Sequence, residues 1–167
     1  MRHIISVLLQ NEAGALSRVT NLFATRGFNI ESLNVAPTQD ETLSRLTVVT
    51  MGSDAVVQQI SNHLGKLVDV VKIVDMTGTD HIERELALFK LRLPTGGQGE
   101  DRLVGLVEAS GGRVLDDSGG HLTVEVIGGG PEIDHFLVQV AELVEVETLV
   151  RSGAMAVTKG APISATG

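Results

Sequence analysis

The residues of this chain best suited to holding a ligand are polar but uncharged. Asn11 and Gly14 stand where the aliphatic run Ile4-Ile5-Ser6-Val7-Leu8-Leu9 gives way to a helical pattern, and Asn29 opens the next extended stretch. An asparagine offers an amide donor and a carbonyl acceptor without net charge. Gly14 has no side chain to block close approach. A helix that begins near Ala15 presents N–H groups without intrahelical acceptors and a partial positive charge, which suits a carboxylate. Such a set fits a zwitterion whose own charges nearly balance, such as a free amino acid. Spacing alone leaves a plainer alternative open, in which Asn11 only caps the helix and Gly14 only makes a turn.

Catalytic and metal chemistry find less support. His3, His63, His81, His121 and His135 are scattered, and there is no cysteine. His81-Ile82-Glu83 has the H-x-E spacing of zinc deaminases, but the cysteine pair that must follow is missing. Gly96-Gly97-Gln98-Gly99 lacks the Lys-Ser/Thr of a phosphate-binding loop. Gly128-Gly129-Gly130 runs into Pro131, as a flexible helix entry would. Asp116-Asp117 sits beside a turn, where solvated aspartates are ordinary. No G-x-S-x-G elbow is present. The expectation is a non-catalytic chain with no metal site.

Composition bounds the partners. The chain has 167 residues, with 13 Lys+Arg against 21 Asp+Glu, for a net charge of −8. Phosphate backbones would be repelled, and four Phe without Trp or Tyr give little surface for stacking on bases. The absence of cysteine excludes disulfides and thiolate sites. No apolar run approaches the roughly 18 residues of a membrane span. The amino-terminal aliphatic run is short and lacks a cleavage site, so it reads as a strand and not a signal peptide. A cytoplasmic protein is expected.

The elements that must position Asn11, Gly14 and Asn29 follow from periodicity. Residues 3–10 read as a mostly buried strand. From Ala15 the spacing turns helical, with Leu16, Val19 and Phe23 on one stripe and Gly27 as the stop. Phe28 to Ala36 and Leu43 to Met51 read as strands around a Pro37-Thr38-Gln39-Asp40 turn. Asp54 is placed as the cap of a second helix bearing Val57, Ile60 and Leu64, stopped by Gly65. Leu67 to Met76 returns to a strand. That order is β-α-β-β-α-β, the split βαβ or ferredoxin-like arrangement. It repeats. Glu85 to Leu93 is a strand, and Leu103, Leu106 and Val107 mark a helix closed by Gly111-Gly112. Asp117-Ser118-Gly119-Gly120 is a hairpin turn, Pro131 starts a last helix, and Leu143 to Val150 is the closing strand. The fold class is α+β, with two tandem ferredoxin-like βαββαβ domains. The boundaries are 1–77 and 78–160, with 161–167 a flexible tail. Helices on one sheet face leave the other uncovered, so tandem packing or a homodimer is expected.

The stretch Ser6-Val7-Leu8-Leu9-Gln10-Asn11-Glu12-Ala13-Gly14-Ala15-Leu16-Ser17-Arg18-Val19 resembles the opening of an ACT domain. Arg26-Gly27-Phe28-Asn29-Ile30-Glu31-Ser32-Leu33, Val35-Ala36-Pro37-Thr38 and Leu43-Ser44-Arg45-Leu46-Thr47 narrow the resemblance to the small, regulatory subunits of acetolactate synthase. Lys66 to Val70, Glu83 to Leu86 and Arg151-Ser152-Gly153 continue it. The resemblance implies an amino-terminal ACT domain and a carboxyl-terminal ACT-like domain. It implies a chain that activates a separate catalytic subunit and confers feedback inhibition by valine in branched-chain amino-acid biosynthesis. Thiamine diphosphate, Mg²⁺ and FAD would belong to that catalytic partner and none to this chain. In the family, valine lies between the ACT domains of a homodimer. Carried over, the loop of one chain supplies Asn11, Gly14, Ala15 and Leu16, and the second strand of the other supplies Asn29 and Ile30. The second half has Pro94 to Gly99 where the first has Asn-x-x-Gly, so no equivalent pocket is expected there. The sequence does not place the surface for the catalytic subunit; the exposed parts of Phe28 to Ala36 and the second helix around Gln58 and Gln59 are candidates, with ordinary solvated surface the alternative. A free-standing tandem ACT sensor of amino acids is the alternative, and a small metabolic enzyme on the same fold is a third class.

Overall fold

The computed structural model describes residues 1–94 and 99–160. The elements run β1 (Arg2–Gln10), α1 (Ala15–Arg26), β2 (Ile30–Pro37), β3 (Leu43–Met51), α2 (Asp54–Leu64), β4 (Val70–Asp75) and β5 (His81–Arg92). They continue α3 (Glu100–Ala109), β6 (Arg113–Ser118), β7 (His121–Gly128), α4 (Gly130–Ala141), β8 (Val146–Arg151) and β9 (Met155–Thr158). The chain divides into two compact units. One is Met1–Ile82 with the described part of the carboxyl-terminal segment from Ala154, and the other is Glu83–Gly153.

In the first unit the strands lie in the antiparallel order β2-β3-β1-β4. Central β1 is buried on both faces, which is why its sequence is a nearly unbroken aliphatic run. Ile5, Val7 and Leu9 meet Leu46 and Val48 of β3, and α1 and α2 cover them with Val19, Phe23, Val57, Ile60 and Leu64. Each such side chain contributes about 1.5–3 kcal/mol on leaving water. Phe23 and Phe28 meet edge to face, with centroids 6.3 Å apart. Edge strand β2 has one neighbour and is half-buried to exposed along its length.

The second unit repeats the plan as β6-β7-β5-β8. Ala87, Phe89 and Leu91 of β5 pack with Leu122, Val124 and Val126 of β7 beneath Leu103 and Val107 of α3 and Ile133, Phe136 and Val140 of α4. Phe89 and Phe136 lie edge to face at 4.9 Å. The tandem ferredoxin-like architecture expected from the order of elements is therefore present.

Local details depart from the sequence reading. Asn11 is not the cap of α1; that place is taken by Gly14 at φ +84°, with no side-chain cap. Ser53, not Asp54, caps α2, because its hydroxyl accepts the Val56 N–H at 3.4 Å. The second hairpin turns on Gly119 and Gly120 alone, at φ +61° and +74°, so Asp117 and Ser118 end β6. Two successive positive φ values are what a tight two-residue hairpin requires. The proposed tail from 161 and the glycines at 96 and 97 lie outside the described residues.

The carboxyl-terminal strand β9 is the main element that periodicity did not announce. The described residues from Ala154 group with the first unit, and β9 pairs with β5. Ala154 is buried against Ile4, Val49 and Met76, with Ala156 packed beside them. This cluster lies on the sheet face opposite the helices, so part of the face expected to be open is covered by the chain itself.

Candidate functional site

The site is assembled around the β1–α1 loop. The Asn11 N–H donates to the Thr42 carbonyl at 2.7 Å. Its side-chain amide donates to the Glu41 carbonyl at 2.9 Å, and its side-chain oxygen accepts from the Ser44 hydroxyl at 3.1 Å. Asn11 therefore ties the β1–α1 loop to the β2–β3 turn. Each half of its amide keeps one bonding position after these contacts. Asn11 and Gly14 are exposed, Ala15 is buried and Leu16 is half-buried against the core.

A cleft of about 230 Å³ opens beside this loop. Its walls include Asn11, Ala15, Leu16, Val35, Pro37 and Ser44. It thus has an apolar side, a polar side and the uncapped start of α1 at hand. No side chain accepts from the first-turn N–H groups, and of these the Ala15 N–H donates to the Glu12 carbonyl at 3.2 Å; a helix start of this kind suits a carboxylate.

Asn29 and Ile30 are elsewhere. Ile30 pairs with Thr50 at one end of β2, whereas Pro37 pairs with Ser44 at the other. Seven residue steps along the strand separate them by roughly 23 Å. Asn29 is exposed and lies just before β2, where its carbonyl accepts the Thr50 hydroxyl at 2.6 Å. Within one chain the loop residues and the β2 residues form no common pocket.

A charged pair that the sequence reading did not single out lies next to Gly14. Arg18 holds Asp69 with two hydrogen bonds, Nε to Oδ2 at 2.5 Å and Nη2 to Oδ1 at 2.8 Å. The Asp69 side chain is 6% exposed. These bonds hold its carboxyl below the usual carboxylate range, against the opposing effect of burial. Asp69 in the apolar run Leu67-Val68-Asp69-Val70-Val71 was the available signal, since a carboxylate in such a run needs a partner.

The remaining candidates resolve into structure. Arg151 grips Glu85 through Nε at 2.9 Å and Nη2 at 2.7 Å and reaches Asp134 at 2.6 Å. The Ser152 hydroxyl accepts the Leu86 N–H at 3.0 Å. Arg151-Ser152-Gly153 thus fastens β8 to β5 inside the second unit. Asp116 accepts from the Ser118 hydroxyl, and Asp117 follows it along β6 on the opposite face. His81 Nδ1 lies 2.8 Å from the Thr79 carbonyl. Among the described residues no group of three His, Asp or Glu is placed to hold a metal ion, and no helix is long and apolar enough to cross a membrane.

Residues 5–72 match a family model described as an AHAS small subunit-like ACT domain, and residues 84–160 match one described as the small subunit of acetolactate synthase. The acetolactate synthase isozyme 3 small subunit of Escherichia coli K12 is 42% identical over 160 residues, covering 96% of this chain and 97% of that protein. The chain belongs to the acetolactate synthase small-subunit family. The small subunit from Haemophilus influenzae is 43% identical over the same shares of the two chains. The crystal structure of the acetolactate synthase small subunit from Thermotoga maritima superimposes with a TM-score of 0.84 at 32% identity, covering 96% of this chain and 99% of that one. The family's ACT domain coincides with the unit that carries the β1–α1 loop and its cleft.

Proposed function

We propose that this chain is the regulatory subunit of an acetolactate synthase. It binds a separate catalytic subunit, raises its activity and makes it subject to inhibition by valine. The thiamine diphosphate, Mg²⁺ and FAD of the reaction reside in the catalytic partner. The effector-binding half is the first domain, residues 1–77.

One observation carries the reading. The cleft with Asn11, Ala15 and Leu16 lies at one end of an exposed edge strand, and Asn29 and Ile30 lie at the other. Unpaired edge groups favour pairing with another strand. If β2 pairs antiparallel with β2 of a second copy about its middle, each strand is reversed against the other. Ile30 of one chain then falls beside Pro37 of its mate, and Asn29 comes to the loop of Asn11. A two-fold dimer completes two identical pockets from residues that one chain keeps apart.

In that pocket the carboxylate of valine takes the N–H groups at the start of α1. Its ammonium takes the side-chain oxygen of Asn29 or Asn11, and its isopropyl group meets Leu16 and Ile30. One methylene changes binding by about 1–3 kcal/mol, so leucine and isoleucine bind more weakly and are not excluded. Valine acts on the partner by binding one arrangement of the dimer more tightly than another.

The test is acetolactate formation from pyruvate by the cognate catalytic subunit, with and without this chain and with and without valine. The reading expects higher turnover with the chain, suppressed by valine. Activation that valine does not touch would remove the pocket, and no effect on turnover would favour a free-standing amino-acid sensor.

A further inference from the structure

We propose that Arg18 is a positioning residue for the effector pocket, locking the β1–α1 loop in its binding shape through Asp69; this rests on the amino-acid-binding reading above. Asp69 holds both ends of that loop. Its backbone carbonyl accepts the Gln10 N–H at 2.8 Å, where β1 ends. Its carboxylate takes the two Arg18 bonds at 2.5 and 2.8 Å, on the first turns of α1. Residues 11–14 are strung between these points. A bidentate guanidinium–carboxylate pair fixes direction as well as distance, and burial of the Asp69 side chain leaves it little room to shift.

The same clasp explains Gly14 differently from ligand access. A Cβ on Gly14 would stand 2.9 Å from Arg18 Nη1 and 3.7 Å from Cζ. The guanidinium occupies the space a side chain would need, and Asp69 holds it there. Gly14 also has φ +84°, which L side chains rarely adopt. Any substitution at 14 therefore pushes on Arg18 before it meets a ligand, and an aspartate there would compete with Asp69 for the guanidinium. Lysine at 18 would keep the charge but lose the fork.

The experiment is calorimetric titration of L-valine into the full-length chain, with thermal unfolding run alongside. The variants are Arg18→Gln, Arg18→Lys, Asp69→Asn, Gly14→Ala and the pair Gly14→Ala/Arg18→Gln. Fitted stoichiometry counts the folded fraction, so affinity is read only from folded protein. The proposal expects Arg18→Gln and Asp69→Asn to bind valine about tenfold more weakly, with Arg18→Lys between them and wild type. It expects Gly14→Ala to weaken binding although it adds no charge, through backbone strain as well as the clash with Arg18, and the pair to lose less than the sum of the two single losses. Should Arg18→Gln fail to fold, Arg18→Lys and Asp69→Asn carry the same comparison. Variants that melt earlier yet bind valine like wild type would show that the clasp serves stability only and overturn the proposal. No binding by the wild-type chain would overturn the pocket reading itself, and the proposal with it.

Discussion

Asp69 is the residue whose ionisation the structure constrains most clearly at the site. Hydrogen bonds from Arg18 are the chief cause of its lowered carboxyl, with burial working against them. A carboxyl depressed on folding adds stability that is complete above its unfolded value of about 4 and is lost as pH falls through the folded value. The Asp69 carboxyl should therefore titrate below about pH 4 by NMR in wild type, and higher in Arg18→Gln. A midpoint unmoved by that substitution would separate the two groups. Residue types at the loop were legible beforehand: Asn11 and Gly14 were singled out for their donor, acceptor and missing side chain. Their bonds were not. Asn11 spends its amide on Glu41 and Ser44, and those contacts depend on a turn thirty residues away in sequence. The Arg18–Asp69 pair spans a longer gap of 51 residues, so no local spacing could reveal it.

At the scale of elements, periodicity placed the helices and the central strands because each buries one face or two, whereas β6 is exposed along its whole length. Helix ends were harder. Ser53 and Asp54 are both good capping residues, and backbone geometry, not type, decides between them. Strand β9 escaped for a different reason. Met155–Thr158 is four residues long, too short to show a period. The neighbouring Ala154 is buried only because Ile4, Val49 and Met76 present an apolar face to it. Ala154 is 2% exposed, so Ala154→Asp would put an unpaired carboxylate into that cluster. Urea unfolding should show a loss of more than about 2 kcal/mol. Hydrogen exchange should rise in β1 and β3 ahead of β6 and β7. An unchanged urea midpoint would mean that the segment does not support the first sheet.

For the whole molecule, the two-fold repeat was legible because it is an order of elements. The relation of one chain to another was not, since nothing in a single chain's pattern states what its edge strand meets. Here the structure adds a constraint. The loop and β2 residues stand at opposite ends of one strand, which a single-chain pocket cannot reconcile and an antiparallel pairing of two copies can. The most direct test mixes two variants, Gly14→Asp in the loop and Asn29→Ala before β2, each expected to bind valine poorly alone. After the chains exchange, a mixed dimer carries one pocket with both defects and one with neither. The two-chain site predicts that valine binding, measured by calorimetry, returns in the mixture. A mixture that binds no more valine than either variant alone would contradict it.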